Sequence, residues 1–303
     1  MPPERAFFKA NGKLMLFGEY VVLRGVPALA FPTKMGQTLE VQRSEVFIWE
    51  SFELEKQWFR LKFSSELEII ETNIPEVASK LMDILRDIRM ANPELLELPS
   101  AFKVKANFNR NWGFGSSATL ISLLAQWSGM DPYDLNAKHF GGSGYDIACA
   151  TASTPILYYK QPLQVKPIVL SECVTDQLLF VYLGKKQNSE REVSKFSEIS
   201  LTQFQVDEFT NLVLSATKAK DIETFENCID EHERLMSELL KRPTLKELEF
   251  SDYPFSIKSL GAWGGDFFMA TCRNLDEARM YFIANGKEVV FTWSMLVGEN
   301  LNP

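Results

Sequence analysis

The sequence is poor in the residues that build metal and redox centres, with 4 cysteines and 2 histidines among 303 residues. Cys149, Cys173, Cys228 and Cys272 are far apart and form no CxxC pair. That argues against a zinc ribbon and against a disulfide scaffold. His139 and His232 lack metal-ligand neighbours at helical spacing, so both read as structural or solvated. Positive charge is also short: 32 Lys and Arg stand against 40 Asp and Glu, for a net charge of −8. A broad nucleic-acid or anionic-membrane surface is therefore not expected. No stretch reaches the about 18 apolar residues of a membrane span. The first residues carry Glu4 and no long apolar run, unlike a signal peptide, so the expected compartment is a reducing cytoplasm. Gly-x-x-x-x-Gly-Lys-Ser/Thr does not occur, which excludes a Walker-type phosphate loop. There is no internal repeat and no low-complexity tract. An anionic ligand has to be met locally, by backbone amides, one or two cations or a metal ion.

What is present is ordinary globular material: 46% hydrophobic and 24% charged residues. A chain of 303 residues fits one large domain or two. Apolar runs flank Gly18-Glu19, and Lys13 and Glu19 interrupt them with charge. These residues either keep their heads in water at element ends or line the edge of a polar pocket. Residues 37 to 63 alternate as antiparallel strands do, and 75 to 90 have helical spacing closed by Asn92-Pro93. A strand is expected at 101–108 and a helix from the following turn to Trp127, closed by Ser128-Gly129. A domain boundary is expected near 160–172, giving domains 1–165 and 166–303. Beyond it come a buried strand at 177–184, two or three helices over 190–240, the segment 256–270, a helix near 275–285 and a strand at 288–293. That order of strand, helices, strand, helix, strand suits an α+β sandwich.

The central stretch is Trp112-Gly113-Phe114-Gly115-Ser116-Ser117-Ala118, leading from the alternating segment into apolar Thr119-Leu120-Ile121. It reads as strand, glycine turn and helix start. The glycines permit a tight turn. A helix start offers unsatisfied amides and partial positive charge, and so can hold a phosphate without a basic side chain. The alternative is that Ser116 merely caps the helix. A second glycine turn, Gly141-Gly142-Ser143-Gly144, precedes Tyr145-Asp146. Asp146 is either a first-turn acid or a carboxylate aimed at a substrate hydroxyl. A third runs through Lys258-Ser259-Leu260-Gly261-Ala262-Trp263-Gly264-Gly265-Asp266.

Taken in order, these segments resemble the signatures of the GHMP kinases, the superfamily of galactokinase, homoserine kinase, mevalonate kinase and phosphomevalonate kinase. Gly12-Lys13-Leu14-Met15-Leu16-Phe17-Gly18-Glu19-Tyr20, followed by Gly25-Val26-Pro27-Ala28, is similar to the mevalonate-kinase-type first motif. Residues 113–118 resemble the phosphate loop, and 258–266 the third motif, with Gly265-Asp266 nearest the phosphomevalonate-kinase form. Ser143-Gly144-Tyr145-Asp146 resembles the segment that bears the family's catalytic aspartate.

The resemblance implies an α+β, two-domain fold: an N-terminal mixed α/β domain with the glycine-rich phosphate loop and a C-terminal ferredoxin-like α+β sandwich. It implies ATP on the amides of Gly113, Phe114, Gly115, Ser116, Ser117 and Ala118, with Ser116 or Ser117 helping to hold Mg²⁺. Asp146 would take the proton of the attacking oxygen. Lys13 would keep Asp146 ionised and stabilise developing charge. Glu19, Tyr20, Gly261, Ala262, Gly264 and Gly265 would lie near the substrate, expected to be a mevalonate-like acid or its phosphate. A diphosphomevalonate decarboxylase-like enzyme and a non-catalytic ligand-binding member are the alternatives. Two departures bear on the last of these. Leu135 stands where mevalonate kinases carry a Mg²⁺-binding glutamate, and Trp263 sits inside the third glycine motif.

Overall fold

The computed structural model describes residues 5–185, 189–263 and 265–298, without the side chains of 189 and 190. Contacts divide the chain into two compact units. The first holds residues 1–12, 35–110 and 114–151, and the second holds 13–34, 111–113 and 152–303. This division differs from a single cut at 165. Residues 164–167, expected at a boundary, form a strand of the second unit, while residues 13–34 join that unit from far upstream.

Strands β1 (Arg5–Phe17) and β2 (Ala28–Arg43) pair with each other, and each runs from one unit into the other. The first unit adds β3 (Phe47–Glu53), β4 (Lys56–Phe63), β5 (Ile69–Thr72), α1 (Pro75–Ala91) and β6 (Ser100–Ala106). Helices α2 (Ser116–Ser128), α3 (Pro132–His139) and α4 (Tyr145–Thr151) follow. Its strand order is β5-β4-β3-β6-β2. β3 and β6 run parallel, from Ile48 opposite Ala101 to Glu53 opposite Ala106, and the other neighbours are antiparallel. The mixed sheet has one apolar face, as the alternation requires: Phe102, Val104 and Ala106 are buried while Lys103 is exposed. Trp49 stacks on Phe102 at 5.2 Å, Trp127 meets that ring edge-on at 5.0 Å, and Leu81, Ile84, Leu85 and Ile88 of α1 complete the core. Helix α2 is buried on several sides, and α4 packs against it.

In the second unit, Ala28–Ala30 of β2 pair with β7 (Ile156–Tyr159), which pairs with β8 (Gln164–Pro167). Then come α5 (Glu172–Thr175), β9 (Leu178–Tyr182), α6 (Ser189–Ser197), α7 (Gln203–Lys218), α8 (Ile222–Leu240) and α9 (Leu245–Glu249). The chain closes with β10 (Ile257–Leu260), β11 (Phe267–Thr271), α10 (Leu275–Ala284), β12 (Val290–Thr292) and α11 (Trp293–Leu296). The antiparallel order β10-β11-β9-β12, with helices between β9 and β10 and between β11 and β12, is the ferredoxin-like sandwich. Residues 256–270, expected to carry one strand, form the β10–β11 hairpin, because the glycine run between the strands lets the chain reverse. The rest of the element order follows the hydrophobic periodicity.

Gly36 of β2 illustrates how closely strands approach in the first unit. A Cβ there would lie 2.2 Å from the carbonyl oxygen of Ala10. Gly36→Ala is expected to destabilise the protein by about 1–3 kcal/mol through overpacking, read from the urea midpoint. An unchanged midpoint would contradict this strand spacing.

Candidate active site

The phosphate-loop candidate is a pair of left-handed glycines opening a helix: Gly113 has φ 68° and Gly115 φ 80°. Gly115 is the N-cap of α2, and no side chain hydrogen-bonds to that cap. Ser116 therefore begins the helix and does not cap it, which removes the simple capping alternative. The first turn carries no acidic residue. Amides left without a side-chain cap at the positive end of a 13-residue helix suit an anion. Phe114 anchors the loop by burying its ring against Phe108 at 5.7 Å. Ser116 is half-buried and Ser117 exposed.

Within the same unit, Asp146 lies in the first turn of α4, the helix that packs on α2, and its Oδ1 accepts the Ile147 amide at 3.1 Å. The turn before it is tied by Asn136, which donates to the Gly141 carbonyl at 2.7 Å. His139 is structural, paired with Asp87 at 2.8 Å, and Lys138 donates to the same carboxylate at 2.7 Å. Those two partners hold Asp87 below the usual carboxylate range, against the opposing effect of its own desolvation. Leu135, by contrast, is buried in the apolar core of this unit and offers no metal ligand.

In the second unit, Lys13 is half-buried on β1. Glu19 does not keep its head in water. It is 4% exposed, and its Oε2 accepts a hydrogen bond from Lys258 Nζ at 2.8 Å. Lys258 is itself fully buried and also donates to the Ser259 carbonyl at 3.1 Å. Glu233 Oε1 lies 3.8 Å from the same ammonium, and His232 Nε2 lies 3.7 Å from Glu19 Oε2. Phe17 and Phe209 face the imidazole edge-on, each at 5.4 Å. Among the described residues, neither carboxyl oxygen of Glu233 and neither nitrogen of His232 has a hydrogen-bond partner.

Burial pushes Glu233 up to about 8, against the pull of Lys258. It also pushes Glu19 above its ordinary value, opposed by the Lys258 ammonium and its hydrogen bond. Burial and the same ammonium hold His232 well below the ordinary imidazole value. At neutral pH burial thus favours a protonated Glu233 and a neutral His232 beside the hydrogen-bonded Glu19–Lys258 pair.

Tyr20 reaches the third glycine motif as well. Its hydroxyl accepts the Trp263 backbone N–H at 2.8 Å, and its ring stacks on Phe196 at 5.2 Å. Gly261 has φ 72° with no atom within 4 Å of an added Cβ, Ala262 is buried, and the Gly265 amide donates to the Ala262 carbonyl at 3.1 Å. Gly264 lies outside the described residues. Trp263 is buried, not projecting. A Cβ on Gly113 would fall 2.3 Å from Asp266 Oδ2, so the third motif lays a carboxyl group against the first residue of the phosphate loop. Sequence reasoning missed Glu233 and the partnership of Lys258. The available signal was a lysine inside the short apolar strand Ile257–Leu260.

No family model matches the sequence, and no curated protein matches it. Solved structures do. The Streptococcus pneumoniae phosphomevalonate kinase in complex with phosphomevalonate and AMPPNP superposes with TM-score 0.70 at 17% identity, over 95% of this chain and 99% of that one. The fold is that of the GHMP kinases. Methanococcus jannaschii mevalonate kinase gives TM-score 0.69 at 18% identity, over 95% of this chain and 97% of its own. Lactococcus lactis galactokinase complexed with galactose gives 0.66 at 12%, over 96% and 93%. No helix among the described residues of this GHMP-fold chain is long and apolar enough to cross a membrane.

Among the described residues, no group of at least 3 His, Cys, Asp or Glu forms a metal cage. Mg²⁺ does not demand one, since it keeps several waters and takes few protein oxygens beside phosphates. The Ser116 and Ser117 hydroxyls are hard oxygen donors of the fitting kind.

The buried cluster has a pH signature. Glu233 binds its proton more tightly folded than unfolded, so its contribution is complete below the unfolded carboxyl pKa and is lost as pH rises toward about 8. His232 acts oppositely, its contribution fading as pH falls below the ordinary imidazole value. Unfolding free energies from urea titrations should fall by up to about 1.4 kcal/mol per pH unit for one proton as pH rises from about 5 to about 8, and level off above that. Glu233→Gln, which mimics the protonated acid, should flatten that limb. An unaltered slope below about pH 8 in this variant would contradict the assignment.

Proposed function

We propose that this chain is an ATP- and Mg²⁺-dependent small-molecule kinase that transfers the γ-phosphoryl group to a mevalonate-like acid or its phosphate. The observation that carries the reading is the helix start at Gly115-Ser116, with no acidic residue in its first turn and no side-chain cap, in a fold shared with a phosphomevalonate kinase solved in complex with AMPPNP. Phosphoryl transfer needs positioning and charge neutralisation more than covalent chemistry by the protein. The amides of 113–118 hold the phosphates, and the Ser116 and Ser117 hydroxyls serve Mg²⁺. When bound, the metal ion neutralises charge on the phosphate oxygens. The acceptor oxygen attacks the γ-phosphorus, the bond to the β-phosphate oxygen breaks, ADP leaves, and Asp146 takes the acceptor's proton. Lys13, half-buried on β1, is the cation assigned to stabilising negative charge that develops in the transfer.

A second reading, nucleotide binding without transfer, is favoured by one observation: the position of the family's Mg²⁺-binding glutamate is a core leucine, Leu135.

Release of ADP from Mg-ATP with mevalonate, phosphomevalonate, homoserine and galactose, and of CO₂ from diphosphomevalonate, separates these readings. Turnover on an acid, reduced about 10²–10⁴-fold in Asp146→Asn, is the expected result. CO₂ release would favour the decarboxylase. ATP binding with no ADP from any acceptor would favour the non-catalytic reading, and an active Asp146→Asn would remove the aspartate from its role.

A further inference from the structure

The corner between β1 and β2 holds a backbone conformation that a tyrosine rarely adopts. Tyr20 has φ 61° and ψ −47°, and the Val21 amide closes on the Glu19 carbonyl at 2.6 Å. This is a γ-turn with a bulky residue at positive φ, a strained state that persists only where its surroundings over-determine it. Gly18, with φ 103°, enters the corner so tightly that a Cβ would lie 2.8 Å from the Pro27 carbonyl oxygen.

The strained corner sends two consecutive side chains to two points of one loop. Glu19 holds Lys258 in β10, before Gly261, and the Tyr20 hydroxyl holds the Trp263 amide, after it. The loop closes on itself through Gly265 to Ala262 and ties to the segment that follows β9, where the Asp266 amide donates to the Lys185 carbonyl at 2.9 Å. Between the two pinned points, Gly261 turns its amide toward Glu19, and the space where a Cβ would point is empty. The result is a loop held at both ends by the first-motif corner, with its order set by those two contacts.

We infer that Glu19 and Tyr20 are positioning residues, which act on the substrate through the third glycine loop and do not contact it. Lys258 is the anchor through which Glu19 acts. The inference rests on the kinase reading for the importance of that loop, but its physical content, control of loop order, stands apart from activity.

Tyr20→Phe removes the acceptor of the Trp263 amide while keeping the ring. Hydrogen exchange at Trp263 should quicken roughly tenfold, as loss of one buried hydrogen bond implies, with core amides of β9 and β11 unchanged. In the kinase assay the same variant should raise the KM for the acceptor more than it lowers kcat. Glu19→Gln, which leaves Lys258 an uncharged acceptor, should also speed exchange across 258–263. Unchanged exchange at Trp263 in Tyr20→Phe would overturn the inference, as would equal acceleration throughout the second unit, which marks global destabilisation. If the wild-type protein phosphorylates no acceptor, the kinase reading fails, and the exchange result still decides whether these residues set the loop.

Discussion

The second unit is organised around an ion pair that water does not reach. Glu19 and Lys258 meet at 2.8 Å with both residues almost wholly buried. Removing two such groups from water costs several kcal/mol per ion, and mutual attraction offsets that only with good geometry. The surroundings meet this condition. Lys258 has a further acceptor in the Ser259 carbonyl, and the flanking Glu233 and His232 are driven neutral. A second ionised carboxylate or an imidazolium at that spot would leave the single ammonium outnumbered or repelled. Burial is the main cause of both neutral states; the buried cation reinforces it at His232 and opposes it at Glu233.

The same constraint explains where strain is stored. Lys258 belongs to a strand whose position is set by the ferredoxin-like sheet, so the partner that must adapt is the first-motif corner. Gly18 and Tyr20 take up that adaptation with φ values of 103° and 61°. On the other side of the hairpin, Asp266 has φ 52° and rests its carboxyl on Gly113. Glycine is required at Gly18 and Gly113 because the neighbouring atoms leave no room for a Cβ. Chemistry built on backbone amides tolerates this crowding, since it needs close approach more than side chains.

Much of the fold was legible because its elements repeat local rules. Val77, Leu81, Ile84, Leu85 and Ile88 at helical spacing became α1, and Asn92-Pro93 ended it. The glycine turn at 113–115 opened a helix that ran to Ser128, with Gly129 as its left-handed cap. The unit boundaries were not legible, because segments 13–34 and 111–113 join distant residues through contacts that no local pattern encodes. The two-residue turn at Leu54-Glu55 was hidden for a related reason: both residues sit at positive φ without glycine or asparagine. The candidate site divides in the same way. Asp146 and the phosphate loop could be picked out from their own neighbours in sequence. Glu19 read as a solvated or substrate-facing acid until Lys258, 239 residues away, came beside it.

A double-mutant cycle on Glu19→Gln and Lys258→Met, followed by urea unfolding at neutral pH, tests the buried pair most directly. Each single change should cost about 3–5 kcal/mol by stranding its partner. The double variant should cost no more than the worse single, because neither charge is then left alone. Simple additivity of the two losses would contradict the account, for it would mean that Glu19 and Lys258 stabilise the protein independently of each other.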